Sequence, residues 1–486
     1  MSKKKRGDIP DGYGKLLEYW EAPDGSGEPI GCVATTFTFS PAFFEEECLG
    51  RFLKMETDAS EDGPLYLVER EEKLSQVVCA AVLVDQHNCK GARSLRWDLH
   101  PARLNGLLHA KISLLCWSDW VRLIIGSANI TEDGYRRNQE VFGVVDYNEN
   151  SDSPRQVLVD VVDYLREMMH SSNPDVDSRA VERWYKFLDR VVQKTGSWGE
   201  TREEHNRKSM HVDTILTGGD RADVFKQFLA LWPAGSPPHT AKVLSPFFDP
   251  PEAVNRPAQE IWEIMRKRGE ATVNYCLEMM DVPDEDRLIA RAPATLQRVK
   301  PSRDAASVIV HCLKTDQDRP LHAKELWFED NRYALLMAGS SNFTSAGLGL
   351  GKKVNYEANL VYVLDRNRAK GVYKDLLKRF PESVVVGDPE FESTENEDDK
   401  SNETVVLPFG FRTAVFRLKD GKAAEVVLEL DQDLPAQWKL MHEDQRPWQD
   451  ALAWEKAGKP SNWVIPWEGL PPSGIWVTWY GAEGMA

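Results

Sequence analysis

The sequence predicts an α/β protein of two pseudo-symmetric halves, each a mixed sheet flanked by helices, followed by a small β-rich C-terminal module. Three observations support this prediction. A block of polar motifs occurs twice along the chain. The same succession of strand-like and helix-like segments surrounds each block. Seven of the 16 tryptophans lie in the last part of the chain, residues 404–486.

The repeated block is the clearest signal. Leu108-His-Ala-Lys111 returns as Leu321-His-Ala-Lys324, an offset of 213 residues. Gly126-Ser-Ala-Asn129 follows the first copy and Gly339-Ser-Ser-Asn342 the second, and the histidine and asparagine are 20 residues apart in both. Two copies are too few for a solenoid. We therefore predict a pseudo-two-fold pair that brings two equivalent edges face to face.

The segments around each copy are also similar. An apolar strand headed by a glutamate, Glu140 or Glu357, follows each GSxN motif, and an amphipathic helix comes next. The apolar positions of these helices are Leu158, Val161, Val162 and Leu165 in the first copy and Val372, Tyr373, Leu376 and Leu377 in the second. These patterns predict one α/β unit per copy.

The chain is predicted to divide into four parts. The segment from about 195 to 215 is polar and is interpreted as the connection between the halves. An acidic linker follows the second half, since residues 388–403 hold eight acidic residues and one lysine. The tryptophans after it predict a compact β core, with a surface for a base, a sugar or a partner protein as the alternative. The two halves, the linker and the Trp-rich β module span residues 25–195, 215–386, 387–403 and 404–486.

Composition excludes several classes of protein. The chain of 486 residues has 60 basic and 77 acidic residues, a net charge of −17, so phosphate binding must rest on a local basic site. Its longest aliphatic run, residues 77–84, is too short to span a bilayer, and we predict no membrane insertion. The seven cysteines form no CxxC pair, which indicates reduced thiols and a cytoplasmic location, or a nuclear one in a eukaryote.

The repeated residue types suit phosphodiester chemistry. Side chains two apart on a strand share a face, which pairs each histidine with its lysine, and a hairpin would return each asparagine to them. One histidine can attack phosphorus while the other protonates the leaving oxygen and later activates water. The lysines and asparagines supply donors to the developing charge, and the glutamates can orient the histidines, although which glutamate serves which histidine stays open. This scheme requires no metal or cofactor. The predicted catalytic residues are His109, Lys111, Asn129, Glu140, His322, Lys324, Asn342 and Glu357.

Two HxK…GSxN motifs resemble the phospholipase D superfamily. The aspartate that the family usually has seven residues after the histidine is replaced by Cys116 and Glu329, and this loss resembles the tyrosyl-DNA phosphodiesterase branch. The resemblance implies that His109 is the nucleophile and His322 the general acid. That branch often has a glutamine where this chain has Glu140, and in this respect the chain is more similar to bacterial phospholipase D and nuclease members.

These inferences predict a metal-independent phosphodiesterase that acts on nucleic acid, with DNA favoured, either as a nuclease or in the processing of DNA ends during repair or defence. Two alternatives stay open. One is a phospholipase-type lipid hydrolase, for which the sequence has no strong amphipathic surface. The other is a non-catalytic nucleic-acid-binding subunit of a larger complex. Under any of these functions the C-terminal module is the candidate site for a protein partner.

Other clusters are less specific. Arg136 and Arg137 could hold a phosphate or lie in solvent. Phe247 and Phe248 are predicted to belong to the core. Trp97 stands among arginines before the first histidine, a composition that fits a groove for single-stranded nucleic acid without requiring one. The arginines of this cluster are Arg93, Arg96 and Arg103.

Overall fold

The structure is a computed structural model. It describes the chain from residue 15 to 484 except for residues 59–60, 90–96, 173–177, 252–253, 282–287, 303, 314–318, 379–382, 388, 394–406, 409, 420–422, 432–433, 443, 470–471, 473 and 480–481.

The first half is built on a six-stranded mixed sheet of order β3-β2-β1-β4-β5-β6. Both faces of this sheet are covered, so β2 is buried along its whole length, as is typical of parallel strands between two layers. The strands are β1 Pro29–Thr36, β2 Cys79–Asp85, β3 Asp98–Ala102, β4 Lys111–Trp117, β5 Val121–Gly126 and β6 Phe142–Tyr147. The helices are α1 Pro41–Phe43, α2 Gly50–Phe52, α3 Pro64–Gln76, α4 Arg155–Ser172 and α5 Arg179–Lys194.

The second half is built on a larger sheet of order β15-β11-β9-β8-β12-β13-β14-β7, with β10 and β16 attached beside β9. Its strands are β7 Met210–Leu216, β8 Thr240–Leu244, β9 Ala271–Asp281, β10 Leu288–Arg291, β11 Ala306–Leu313, β12 Glu325–Glu329, β13 Tyr333–Gly339, β14 Ala358–Asp365, β15 Ser383–Val386 and β16 Glu390–Glu392. Its helices are α6 Arg202–Asn206, α7 Val224–Leu231, α8 Arg256–Ile264, α9 Thr295–Arg298 and α10 Lys370–Lys378.

Both sheets follow one plan, which confirms the predicted fold class. β1 is parallel to β2 and antiparallel to β4, and β8 has the same relations to β9 and β12. The hairpin β4–β5 and its neighbour β6 correspond in the same way to β12–β13 and β14. Each hairpin therefore carries one HxK motif at its start and one GSxN motif at its end.

Three segments differ from the sequence predictions. The polar connection contributes β7, which pairs with β14 because Ile215 and Leu216 bury apolar surface at this edge. The acidic segment contributes β16, which pairs with β10, while residues 394–406 lie outside the described residues. In α10 only Leu376 is buried, and Val372 and Leu377 are exposed, because the helix contacts the sheet along a narrow stripe.

The C-terminal module consists of two small sheets, of order β17-β18-β21 and β20-β19-β22-β23. Four tryptophans are buried between them, as the core interpretation predicts, and the other three are half-buried. Arg103 of the first half donates to the carbonyl of Phe411, and burial together with Arg412 lowers the pKa of Arg103 to about 10. The elements are β17 Phe411–Lys419, β18 Ala423–Leu430, β19 Trp438–Met441, β20 Pro447–Asp450, α11 Ala451–Lys456, β21 Asn462–Trp467, β22 Trp476–Trp479 and β23 Ala482–Gly484.

The two halves share one buried apolar cluster. Leu360 of β14 is fully buried in the same cluster as Val161 and Leu165 of α4. The halves are therefore packed together by core side chains as well as by backbone contacts. Within the described residues, no helix combines the length and apolarity that crossing a membrane requires.

We expect Leu360→Ala to lower the free energy of unfolding by about 2–5 kcal/mol, because it leaves a cavity where the halves meet. Chemical denaturation of the full chain measures this change. Val385→Ala is the control, since Val385 is 61% exposed and surface substitutions usually change stability by less than about 0.5 kcal/mol. Equal effects of the two substitutions would contradict the shared core.

Candidate active site

The histidines of the two HxK motifs lie just before their strands rather than within them. β4 begins at Lys111 and β12 at Glu325, so both histidines precede the regular ladders. The reason is that their backbone pairs with the other half of the chain. The N–H of His109 donates to the carbonyl of Tyr356, and the N–H of His322 donates to the carbonyl of Gln139, each at 2.9 Å. Each motif is thus held by the segment that carries the opposite glutamate.

The histidines and glutamates form two crossed pairs. Nδ1 of His109 lies 2.8 Å from Oε2 of Glu357, and Nδ1 of His322 lies 2.8 Å from Oε2 of Glu140. Each glutamate therefore serves the histidine of the other half, which answers the question that the sequence left open. The crossing joins the two motif blocks into one composite site.

The GSxN motifs support the glutamates. A Cβ on Gly126 would lie 2.7 Å from the carbonyl oxygen of Val141, so only glycine admits the strand segment that carries Glu140. Ser127 donates from Oγ to Oε2 of Glu140. In the second half, Ser340 donates to Oε2 of Glu357 at 2.6 Å. Each serine thus holds the carboxylate that orients the histidine of the opposite half.

Two asparagines complete the carboxylate sites, and sequence reasoning missed them. Asn138 donates from Nδ2 to Oε1 of Glu140 at 3.2 Å, and Asn355 donates to Oε1 of Glu357 at 3.3 Å. The signal was available, because an N-x-E triplet occurs once in each copy. With the serine, the asparagine fixes both oxygens of each carboxylate.

The predicted lysines and asparagines are buried beside the histidines. Lys111 and Lys324 are 4% and 2% exposed. Asn129 accepts backbone N–H groups of Phe37 and Thr38 on its Oδ1, at 3.2 and 3.3 Å, which directs its amide nitrogen the other way. Asn342 occupies the equivalent position after β13 and is also buried. The structure therefore brings all eight predicted residues to one region.

An aromatic ring stands beside each histidine. Phe37 contacts His109 edge-on at a centroid distance of 5.4 Å, and Lys111 Nζ lies 5.9 Å from the same ring. Phe247 contacts His322 edge-on at 6.2 Å, and Lys324 Nζ lies 5.9 Å from that ring. Phe247 is half-buried, so assigning it to the core was wrong, whereas Phe248 is buried as predicted.

The two candidate histidines differ in depth. The side chain of His109 is 2% exposed and that of His322 is 12% exposed. Burial of Glu140 favours its neutral form, but His322 and Lys324 outweigh that effect, and the pKa of Glu140 is lowered from its ordinary 4.5. Glu140 is therefore a carboxylate at neutral pH.

The weaker clusters have structural explanations. Trp97 is buried and donates to Glu45, and Arg103 contacts the C-terminal module, so neither forms the predicted groove. The other two arginines of that cluster lie outside the described residues. Arg136 and Arg137 form ion pairs with acidic side chains. Among the residues that the structure describes, no cluster of potential metal ligands is found.

Comparison with known proteins gives structural likenesses. Neither a family model nor a curated protein matches the sequence. Yeast tyrosyl-DNA phosphodiesterase is similar over 73% of this chain and 87% of its own, at 8% identity and a TM-score of 0.42. Phosphatidylserine synthase of Haemophilus influenzae is similar over 76% of this chain and 84% of its own, at 12% identity and a TM-score of 0.39. Polyphosphate kinase of Porphyromonas gingivalis is similar over 80% of this chain and 50% of its own, at 10% identity and a TM-score of 0.36. The motifs and the site geometry, and not these likenesses, support the function proposed below.

We expect Glu140→Gln to reduce stability most at neutral pH. A carboxyl with a lowered pKa stabilises the folded state above its ordinary value of 4.5, and this stabilisation is lost as the pH falls through the lowered value. The difference in unfolding free energy between wild type and variant should therefore narrow below pH 4.5. Denaturation curves at neutral and acid pH measure it, and a constant difference would contradict the lowered pKa.

Proposed function

We propose that the chain is a metal-independent phosphodiesterase of the phospholipase D type that acts on nucleic acid through a covalent phosphohistidine. The observation that carries this proposal is the pair of crossed His–Glu contacts. Two histidines with fixed Nδ1 atoms, two buried lysines and two asparagines are the groups that a two-step displacement at phosphorus needs. Every one of these groups comes from the chain itself.

In the first step, Nε2 of His109 attacks the phosphorus. The N–P bond forms as the bond from phosphorus to the leaving oxygen breaks. Protonated His322 donates its Nε2 proton to that oxygen, and neutral imidazole results. Glu357 accepts a hydrogen bond from the Nδ1–H of His109, which keeps its proton, and the carboxylate stabilises the positive charge that the ring gains.

In the second step, His322 takes a proton from water as the water oxygen attacks phosphorus. The N–P bond breaks, His109 is released as the neutral ring, and His322 returns to its protonated form. Glu140 supports that protonated form, since its carboxylate lies 2.8 Å from Nδ1. The lysine and asparagine donors face charge on the non-bridging oxygens in both steps.

The assignment of roles follows the resemblance and agrees with burial. The deeper histidine, His109, would hold the covalent intermediate away from bulk water, while His322 lies nearer to solvent, where water and the leaving group enter. Within a buried site the donors act at low dielectric, which strengthens their effect on the transition state.

We expect His109→Ala and His322→Ala each to lower turnover by about 10²-fold or more, the usual scale of acid–base catalysis. The substrates are labelled single-stranded DNA, duplex DNA, a 3′-phosphotyrosyl oligonucleotide and phosphatidylcholine, all in EDTA. His311→Ala is the control, because His311 lies on β11 and contacts Asn274. A requirement for added metal would contradict the mechanism, and turnover of lipid alone would contradict the substrate class.

The crossed pairs give a second prediction. On the 3′-phosphotyrosyl oligonucleotide, whose phenolate leaves with little help from an acid, Glu357→Gln should slow formation of the phosphohistidine, whereas Glu140→Gln should mainly slow hydrolysis of the intermediate. Rapid-quench single-turnover experiments that follow labelled protein and product separate these steps. Accumulation of labelled protein in Glu140→Gln and its decrease in Glu357→Gln is the expected result. The reverse pattern would show that the histidine roles are exchanged.

A further inference from the structure

We propose that Lys352 and Lys353 bind phosphates of the nucleic-acid strand that stays attached to His109 during the reaction. The assignment of this strand rests on the proposed function, because it takes His109 as the nucleophile. Both lysines are exposed, and they lie in the loop that leads to Asn355 and Glu357. The loop therefore adjoins the His109 side of the site.

The loop is held at several points. The N–H of Gly351 donates to the carbonyl of Ser345 at 3.0 Å, and the N–H of Asn355 donates to that of Ala346 at 3.1 Å. The carbonyl of Val354 packs against Gly106, where a Cβ would lie 2.0 Å from its oxygen. The lysines thus project from a fixed backbone between the two halves.

The loop is also connected to the nucleophile through short contacts. Asn355 donates to Glu357 at 3.3 Å, and Glu357 contacts His109 at 2.8 Å. A phosphodiester bound at His109 would continue as a polyanion whose next phosphates must leave the cleft past nearby surface. Exposed ammonium groups at that surface are the chemistry that such phosphates attract.

The equivalent loop of the first half provides a contrast. Arg136 and Arg137 precede Asn138 there, but Arg136 pairs with Glu47 at 2.6 Å and with Glu132 at 2.9 Å. Arg137 pairs with Asp133 at 3.0 Å. Within the part of the chain that the structure describes, neither Lys352 nor Lys353 has an acidic partner within 4.0 Å. The arginines on the His322 side are therefore neutralised by acidic side chains, whereas the lysines on the His109 side are not.

This difference gives the substrate an orientation. A chain with a net charge of −17 repels polyanions as a whole, so local cations decide where a strand can lie. The retained strand would run over the lysine loop, and the leaving group would lie on the His322 side, where Arg136 and Arg137 are already paired with acidic side chains.

Equilibrium binding tests the proposal without relying on turnover. Fluorescence anisotropy of a labelled single-stranded oligonucleotide is measured over a salt series with wild type, Lys352→Gln/Lys353→Gln and the matched control Arg136→Gln/Arg137→Gln. Two lost phosphate contacts should make the slope of log Kd against log salt shallower by about 1.4 in the lysine variant. The control should keep the wild-type slope.

Equal slopes in all three proteins, a loss in the arginine variant alone, or no binding by wild type would overturn the proposal. Thermal unfolding confirms that the variants are folded. Failure of the proposed function has a separate signature, because wild type would then bind the oligonucleotide with the expected salt dependence and turn over none of the phosphodiester substrates in EDTA.

Discussion

Each histidine of the candidate site depends on a carboxylate from the other half of the chain. The contacts of His109 with Glu357 and of His322 with Glu140 need both sheets in place, with their motif edges facing each other. The two sheets are held in this position by the backbone hydrogen bonds of both histidines and by the apolar cluster that contains Leu360. The packing of the two halves therefore positions both His–Glu pairs.

The two halves contribute equivalent side chains to the candidate site, and they differ in a few details. Ser127 and Ser340 hold the two carboxylates in the same way, as do Asn138 and Asn355. Yet His322 is more exposed than His109. Attack and protonation are different tasks in the proposed reaction, and this difference in exposure agrees with the roles proposed for the two histidines.

Much of this arrangement could be predicted from the sequence, because it depends on the spacing of residues that are close together along the chain. The offset between Lys111 and Lys324, the hairpin that each begins, and the glutamate heading the next strand all follow from chain order. The crossing could not be predicted, since it depends on contacts between residues 248 positions apart. The burial of Trp97 could not be predicted for a similar reason, because the indole donates to Glu45, which is distant in sequence.

The sequence separation of the crossed pairs has a consequence for synthesis. A ribosome releases His109, Lys111 and Asn129 well before it reaches Glu357, so the emerging first half has a histidine whose ring has no carboxylate to align it. The proposed nucleophile and its carboxylate come together only when most of the second half has been made and folded against the first. The proposed site is thereby completed at a late stage of chain growth, and a truncated translation product ending before Glu357 would lack the contact that aligns His109.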